Sequence, residues 1–205
     1  MKRPLKKPNS SAGFTLAETL IAVVILVMIT AAAMPAAVSA YRNAVDAANA
    51  QVLLSTTVNA LRSELSTAWN VDVNTEGTTI TYQSADTGDK SVITVEDGTI
   101  IIQEYSRGTE TETPGWWDGD NTATSTEARP LVSNAMRQTT RNSAENMTVT
   151  YGGEDGTQKV VVSDDGMFIT IPGLMVKRGD SVLAEMPDTG LVIRIMSAKA
   201  TDDSD

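Results

Sequence analysis

The chain has 205 residues, enough for one domain with an appendage or for two small domains. It contains no cysteine and no histidine, which excludes disulfides, thiolate chemistry and imidazole as a general base or metal ligand. With a net charge of −10 it would be repelled by nucleic acid, so we expect no nucleic-acid partner.

The charge is distributed unevenly along the chain. Residues 1–13 hold Lys2, Arg3, Lys6 and Lys7 and no acid, whereas the remainder carries 12 basic and 26 acidic residues. A basic segment in front of an apolar run is typical of an export or membrane-insertion signal. We therefore predict that residues 1–13 are a leader peptide whose charges keep the N-terminus in the cytoplasm.

The next segment is apolar over the length of a membrane. Residues 20–40 contain no charged side chain, and these 21 residues match the ~20 that a helix needs to cross hydrocarbon. Pro35 lies inside this run, and a proline there removes the hydrogen bond to the carbonyl of Ala31. We therefore predict a membrane-spanning helix over about residues 14–40, with a kink or local loosening at Pro35.

The helical pattern continues beyond the apolar run. Residues 41–69 contain no glycine or proline, and their apolar side chains recur at spacings of four and three. The spacing predicts a buried stripe on an amphipathic stem, and it predicts one helix over residues 14–69, roughly 80 Å long. Trp69, at the end of the stripe, is expected in the core. The stripe consists of Leu54, Val58, Leu61, Leu65 and Ala68.

After residue 69 the pattern becomes that of β-structure. Asp97-Gly98 and Asp165-Gly166 each separate two apolar runs, which predicts two hairpins. A further turn at residues 151–158 predicts a three-stranded meander over residues 147–171. Leu191, Ile193 and Ile195 alternate along a last strand. Short strands linked by turns favour antiparallel sheets, so the predicted fold class is α+β, a long N-terminal helix packed on an antiparallel β domain.

The predicted β domain spans residues 70–197. Within it, residues 106–128 are polar and rich in threonine, glycine and acids, which predicts a long surface loop. Residues 129–142 are predicted to hold a short helix, and residues 198–205 a disordered tail.

No residue pattern indicates catalysis or cofactor binding, and we expect neither an enzyme nor a metal site. Asp118 and Asp120 resemble the start of a Ca²⁺ loop, but Ala123 and Arg129 stand where that loop needs glycine and glutamate. Asp164-Asp165 is interpreted as a turn. Trp116 and Trp117 are adjacent in the polar loop, where one can anchor the loop while the other contacts a partner.

The sequence Gly-Phe-Thr-Leu-Ala-Glu at residues 13–18 follows the basic leader and precedes the apolar helix. In this setting it closely resembles the class III signal of type IV pilins and pseudopilins. The resemblance implies that prepilin peptidase cuts between Gly13 and Phe14 and methylates the new N-terminus at Phe14. It also makes Glu18 the fifth mature residue, which in the family is a glutamate that acts in assembly, and it places Pro35 where many members carry a helix-loosening proline.

Glu18 poses a problem of solvation. A carboxylate at the centre of a membrane helix costs about 2.5–3.5 kcal/mol, so it requires a partner. The resemblance implies that this partner is the N-terminal amine of Phe14 in a neighbouring subunit. The alternative is that Glu18 lies at the membrane interface and reaches water.

The resemblance implies a structural subunit of a type IV pilus-like or type II secretion-like filament. The partners are then prepilin peptidase, other pilin subunits, an inner-membrane assembly platform and, before assembly, membrane lipid. The location is the cytoplasmic membrane as a single-pass protein, followed by a filament in the envelope or outside the cell.

Two other interpretations of the N-terminus remain open. Residues 20–33 also fit the apolar part of an ordinary signal peptide, with Val38-Ser39-Ala40 as its cleavage site. The mature protein would then be a secreted soluble β domain that starts at Tyr41. The other possibility is a plain single-pass anchor that carries an extracellular domain.

Overall fold

The structure is a computed structural model that describes residues 15–106, 124–125, 128–137, 146–153, 155–187 and 189–198. The chain divides into two compact units, Met1–Asn43 and Ala44–Asp205. The predicted leader, the Gly13-Phe14 bond, Trp116, Trp117, Asp118, Asp120 and most of the tail lie outside the described residues. The fold is α+β, with one long helix followed by antiparallel sheets, as the sequence predicts.

Helix α1 spans Leu16–Leu65 and runs without interruption through Pro35. It ends four residues before the predicted boundary, because Ser66 and Ala68 form a closing turn through backbone bonds to Arg62 and Leu65. The predicted stripe faces the core: Leu54, Leu61, Leu65 and Ala68 are buried, and Val58 is packed against them.

The described part of the β domain forms three antiparallel sheets. The first sheet has β1 (Trp69–Val73), β2 (Ile80–Gln83), β3 (Lys90–Glu96), β4 (Thr99–Ser106), β5 (Thr124–Ser125) and β6 (Arg129–Pro130). The second sheet places β10 (Met175–Arg178) between β7 (Thr148–Thr150) and β11 (Ser181–Glu185). The third sheet places β9 (Phe168–Ile171) between β8 (Val161–Val162) and β12 (Leu191–Arg194).

Both predicted hairpins are confirmed. Strands β3 and β4 pair in register from Lys90 with Tyr105 to Glu96 with Thr99. Asp97 and Gly98 both have positive φ, which is the conformation of the tight hairpin turn that Asp-Gly favours. Strands β8 and β9 pair across the Asp165-Gly166 turn.

The predicted meander over residues 147–171 is wrong. Strand β7 pairs with β10 rather than with β8, and the Val149 amide donates to the Gly98 carbonyl of the β3–β4 turn. The intervening Gly152 and Gly153 have positive φ and redirect the chain, so β8 joins a different sheet. Alternation along each strand does not specify which neighbour it pairs with.

Two further expectations differ from the structure. Residues 129–130 form β6 on the edge of β4, and only Asn134–Arg137 forms a single 3-10 turn, so the described part of residues 129–142 holds no α-helix. Trp69 is not a core residue: it begins β1 and is 50% exposed. The helix ends at Leu65 and β1 begins at Trp69, so helical spacing does not predict the burial of this residue.

One apolar core joins the helix stripe to all three sheets. The predicted alternation is confirmed: Leu191 and Ile193 of β12 and Ile195, just after its end, are buried. The tightest packing involves side chains with essentially no exposed surface, among them Leu53, Leu61, Leu65, Ile80, Ile93, Ile102, Ile169, Ile171 and Leu174.

Candidate functional site

The start of helix α1 is closed by reciprocal hydrogen bonds between Thr15 and Glu18. The Thr15 amide donates to Glu18 Oε2 at 2.8 Å, and the Thr15 hydroxyl donates to the same oxygen at 3.0 Å. The Glu18 amide in turn lies 3.3 Å from Thr15 Oγ1. This is a capping box, which satisfies backbone amides that the first helical turn leaves without partners.

The capping box leaves part of the Glu18 carboxylate available. Both Thr15 donors bind Oε2, and Oε1 accepts no hydrogen bond from any residue that the structure describes. The positive end of the helix dipole also favours a carboxylate at this position. Glu18 is therefore stabilised locally through Oε2, while Oε1 remains available to another partner.

No described residue of the chain covers an apolar face of the first half of the helix. From residue 15 to residue 43 every residue except Ser39 is exposed, and none of the most apolar window is buried. The hydroxyls of Thr19 and Thr30 donate to the carbonyls of Leu16 and Leu26, so these polar groups are satisfied inside the helix. A helix that is apolar on all sides suits hydrocarbon or a bundle of other helices, and this one is long and apolar enough to cross a membrane.

The model of the prokaryotic N-terminal methylation motif matches residues 8–34. The chain carries the class III signal of type IV pilins and pseudopilins. The match includes the predicted cleavage site, Thr15 and Glu18, and it ends one residue before Pro35. No curated protein and no solved structure matches the chain.

A pilin signal of this kind supports a processed subunit that assembles with other pilin subunits, and it implies prepilin peptidase as the processing enzyme. Among the predicted site residues, Glu18 lies in the first helical turn and Pro35 lies inside the helix. The roles of Gly13, Phe14, Glu18 and Pro35 stay predictions, and the first two residues lie outside the described chain.

Sequence reasoning missed Thr15 as the partner of Glu18. The signal was present, because Thr-x-x-Glu in front of an apolar run is the pattern of a capping box. The bond survives the predicted cleavage, since Thr15 keeps its peptide amide when Phe14 becomes the first residue.

Sequence reasoning also missed a buried ion pair in the second unit. Asp46 has no exposed surface, and its Oδ2 accepts a hydrogen bond from Nη1 of Arg178, whose side chain is 14% exposed. The pair fastens the helix to the end of β10. No pattern near Asp46 indicates its burial, because its partner is 132 residues away.

A second polar contact joins the helix to the first sheet. Glu64 accepts a hydrogen bond from the Tyr82 hydroxyl at 3.2 Å and pairs with Arg129, which also pairs with Glu104 at 3.0 Å. Burial, together with the nearby Glu64 charge, raises the pKa of the Tyr82 phenol. Tyr82 therefore remains a neutral hydrogen-bond donor.

Proposed function

We propose that the chain is a structural subunit, as a pilin, minor pilin or pseudopilin, of a type IV pilus-like or type II secretion-like filament. The observation that carries the proposal is the methylation-motif match at residues 8–34, on an apolar helix whose first half is exposed among the residues that the structure describes. The apolar half of the helix would sit first in lipid and then among the helices of other subunits. An inner-membrane platform would drive that transfer.

The proposed assembly contact is an ion pair between Glu18 and the N-methylated amine of Phe14 in a neighbouring subunit. The capping box supports this proposal, because it binds one carboxylate oxygen and leaves the other free. It also suggests how the acid is tolerated in the membrane before assembly, since the Thr15 donors offset part of the cost of removing the charge from water.

The continuous helix weighs against a secreted domain that starts at Tyr41. Helix α1 passes through Ala40 with no break, and the residues on both sides of that bond are helical. A signal peptidase would have to cut inside this helix. The topology with the N-terminus in the cytoplasm rests on the basic leader alone.

The test is the N-terminal residue of the protein recovered from membranes and from sheared filaments, measured by intact mass and terminal peptide sequencing. We expect N-methyl-Phe14 in both fractions. A chain that starts at Tyr41 and is found free in the medium would overturn the proposal. A chain that retains Met1 or its leader in the membrane would support the plain anchor instead.

A further inference from the structure

The third sheet carries large apolar side chains on both faces. Its inner face belongs to the core, with Ile169, Ile171 and Ile193 buried. An outward face in contact with water is normally polar. Here the outward positions of all three strands carry large apolar side chains, and we name this surface the outer face. It consists of Val161, Phe168, Thr170, Val192, Arg194 and Met196.

The pairing of the strands makes the outer face continuous. Val161 and Val192 both lie opposite Thr170, which forms one row across the three strands, and Phe168 lies opposite Arg194 in the next row. Met196 lies two residues beyond the end of β12 and is exposed like Val192 and Arg194. The exposed fractions are 56% for Val161, 40% for Phe168, 52% for Val192 and 56% for Met196.

The charge of the outer face differs from that of the rest of the chain. Beyond residue 13 the chain carries 26 acidic and 12 basic residues, so two copies repel each other over most of their surface. None of the six outer-face residues is acidic, and Arg194 makes no ion pair with any described residue. Arg194 is therefore available to a carboxylate on a neighbouring acidic copy.

The size of the outer face indicates how the neighbour is held. Four apolar side chains that are about half exposed leave on the order of 300 Å², the lower end of the largest patch on a typical monomer. A stable dimer in solution buries about 800 Å² on each partner. The outer face is therefore too small to hold two free copies together, but it suffices for copies that their helices already keep at an effective concentration in the millimolar range.

We propose that the outer face is the surface through which the β domain contacts the β domain of a neighbouring copy of this chain in the filament. This inference rests on the proposed function, since the helices must bring the copies together. Phe168 and Val192 form the buried centre of the contact. Arg194 pairs with an acidic side chain of the neighbour.

The first experiment is photo-crosslinking in cells that express the full chain. A benzophenone amino acid replaces Val192, and in a matched control it replaces Val182, a 37% exposed valine on β11 in another sheet. A tagged and an untagged copy are expressed together, so that a mixed adduct proves contact between two chains. Mass spectrometry of the digested adduct identifies the residues that are joined.

We expect mixed adducts from position 192 in the filament fraction, few from position 182, and none when Glu18→Ala prevents assembly. Adducts within a single chain would show that the chain's own segments cover the outer face. Adducts to a different protein would show that the outer face binds another partner. The absence of adducts in intact filaments would show that the outer face makes no close contact there. Each of these results overturns the inference.

The second experiment measures filament yield for Val192→Asp against Val182→Asp. Replacing a buried valine contact by a carboxylate between acidic copies should lower the yield on the order of tenfold. Protease resistance of the domain should remain unchanged, since Val192 does not belong to the core. Equal yields from the two variants would overturn the inference.

The two proposals fail in different ways. Filaments whose subunits start at N-methyl-Phe14, without adducts from position 192, would leave the proposed function standing and overturn only the contact. A protein that starts at Tyr41 would overturn both.

Discussion

Residues 16–43 and residues 44–65 belong to the same helix, yet their apolar side chains meet different surroundings. In the first segment Leu26, Met28 and Ile29 are each more than 60% exposed. In the second, Leu53 and Leu61 have no exposed surface. The comparison teaches that apolar content alone does not specify burial within a chain. The first segment is apolar on every side, whereas the second carries a stripe of buried apolar residues that the sheets cover, although Val52 lies off this stripe and is exposed.

The acidic side chains follow the same division. In the first segment Glu18 accepts hydrogen bonds from Thr15, only three residues away. In the second unit Asp46 and Glu64 bond to residues that are distant in sequence. Changes in the first segment should therefore affect assembly without unfolding, and changes in the second should affect folding.

The largest effect is expected from Glu18. Glu18→Ala removes the proposed partner of the Phe14 amine, a contact that offsets about 2.5–3.5 kcal/mol. Incorporation into filaments should fall on the order of a hundredfold, while the amount of protein in the membrane stays unchanged. Quantification of the chain in sheared filaments and in membranes measures both.

Glu18→Gln separates the two roles of this side chain. Glutamine can still accept the Thr15 bonds of a capping box, but it carries no charge. We expect it to assemble as poorly as Glu18→Ala. Normal assembly of the glutamine variant would assign Glu18 to helix capping and contradict the ion pair.

In the second unit the largest loss is expected from the buried ion pair. Removing one partner of a buried pair costs about 3–5 kcal/mol, because the remaining charge is left uncompensated. Arg178→Met should cost more than Asp46→Asn, since Asp46 has no exposed surface whereas the Arg178 side chain retains 14%. Denaturant unfolding of the full chain in detergent measures the free energy of unfolding.

The control for this pair is Glu185→Ala, which removes an exposed acid from β11 and should change stability by less than about 0.5 kcal/mol. The double variant Asp46→Leu with Arg178→Met should recover much of the loss. A double variant as unstable as Arg178→Met alone would show that the uncompensated Asp46 charge does not cause the loss of stability.

Two glycines share the same backbone conformation but differ in how closely another backbone segment approaches them. Gly173 and Gly179 have φ of 58° and 56°, so alanine is strained equally at both positions, by about 1–2 kcal/mol. A Cβ on Gly173 would meet the Gly153 amide nitrogen at 2.0 Å, whereas Gly179 has open space. Gly173→Ala should therefore lose on the order of 2 kcal/mol more than Gly179→Ala. Equal losses of stability in the two variants would mean that the segments around Gly153 and Gly173 separate easily.

The smallest effect is expected from Arg129, whose pairs with Glu64 and Glu104 are half exposed. Arg129→Ala should lower the free energy of unfolding by about 0.2–1 kcal/mol, and the difference should shrink at high salt. Unfolding at low and high ionic strength tests both statements. A loss of stability as large as that of Arg178→Met would show that the pairs of Arg129 with Glu64 and Glu104 hold the helix on the sheet as strongly as the buried ion pair does.

The sequence by itself determined the local features of this protein. The motif at residues 13–18, the stripe from Leu54 to Ala68 and the two Asp-Gly turns each depend on residues a few positions apart, and their physics is that of a single helix or hairpin. The Thr15–Glu18 capping box belongs to this class as well, although it was missed.

The tertiary structure alone decided which elements meet. The pairing of β7 with β10, the burial of Asp46 against Arg178 and the exposure of Trp69 depend on contacts between residues far apart in the chain. Alternation places a side chain on one face of a strand but does not name the strand beside it. For the same reason the outer face is not visible in the sequence. The row of Val161, Thr170 and Val192 exists only once three separate strands are in register.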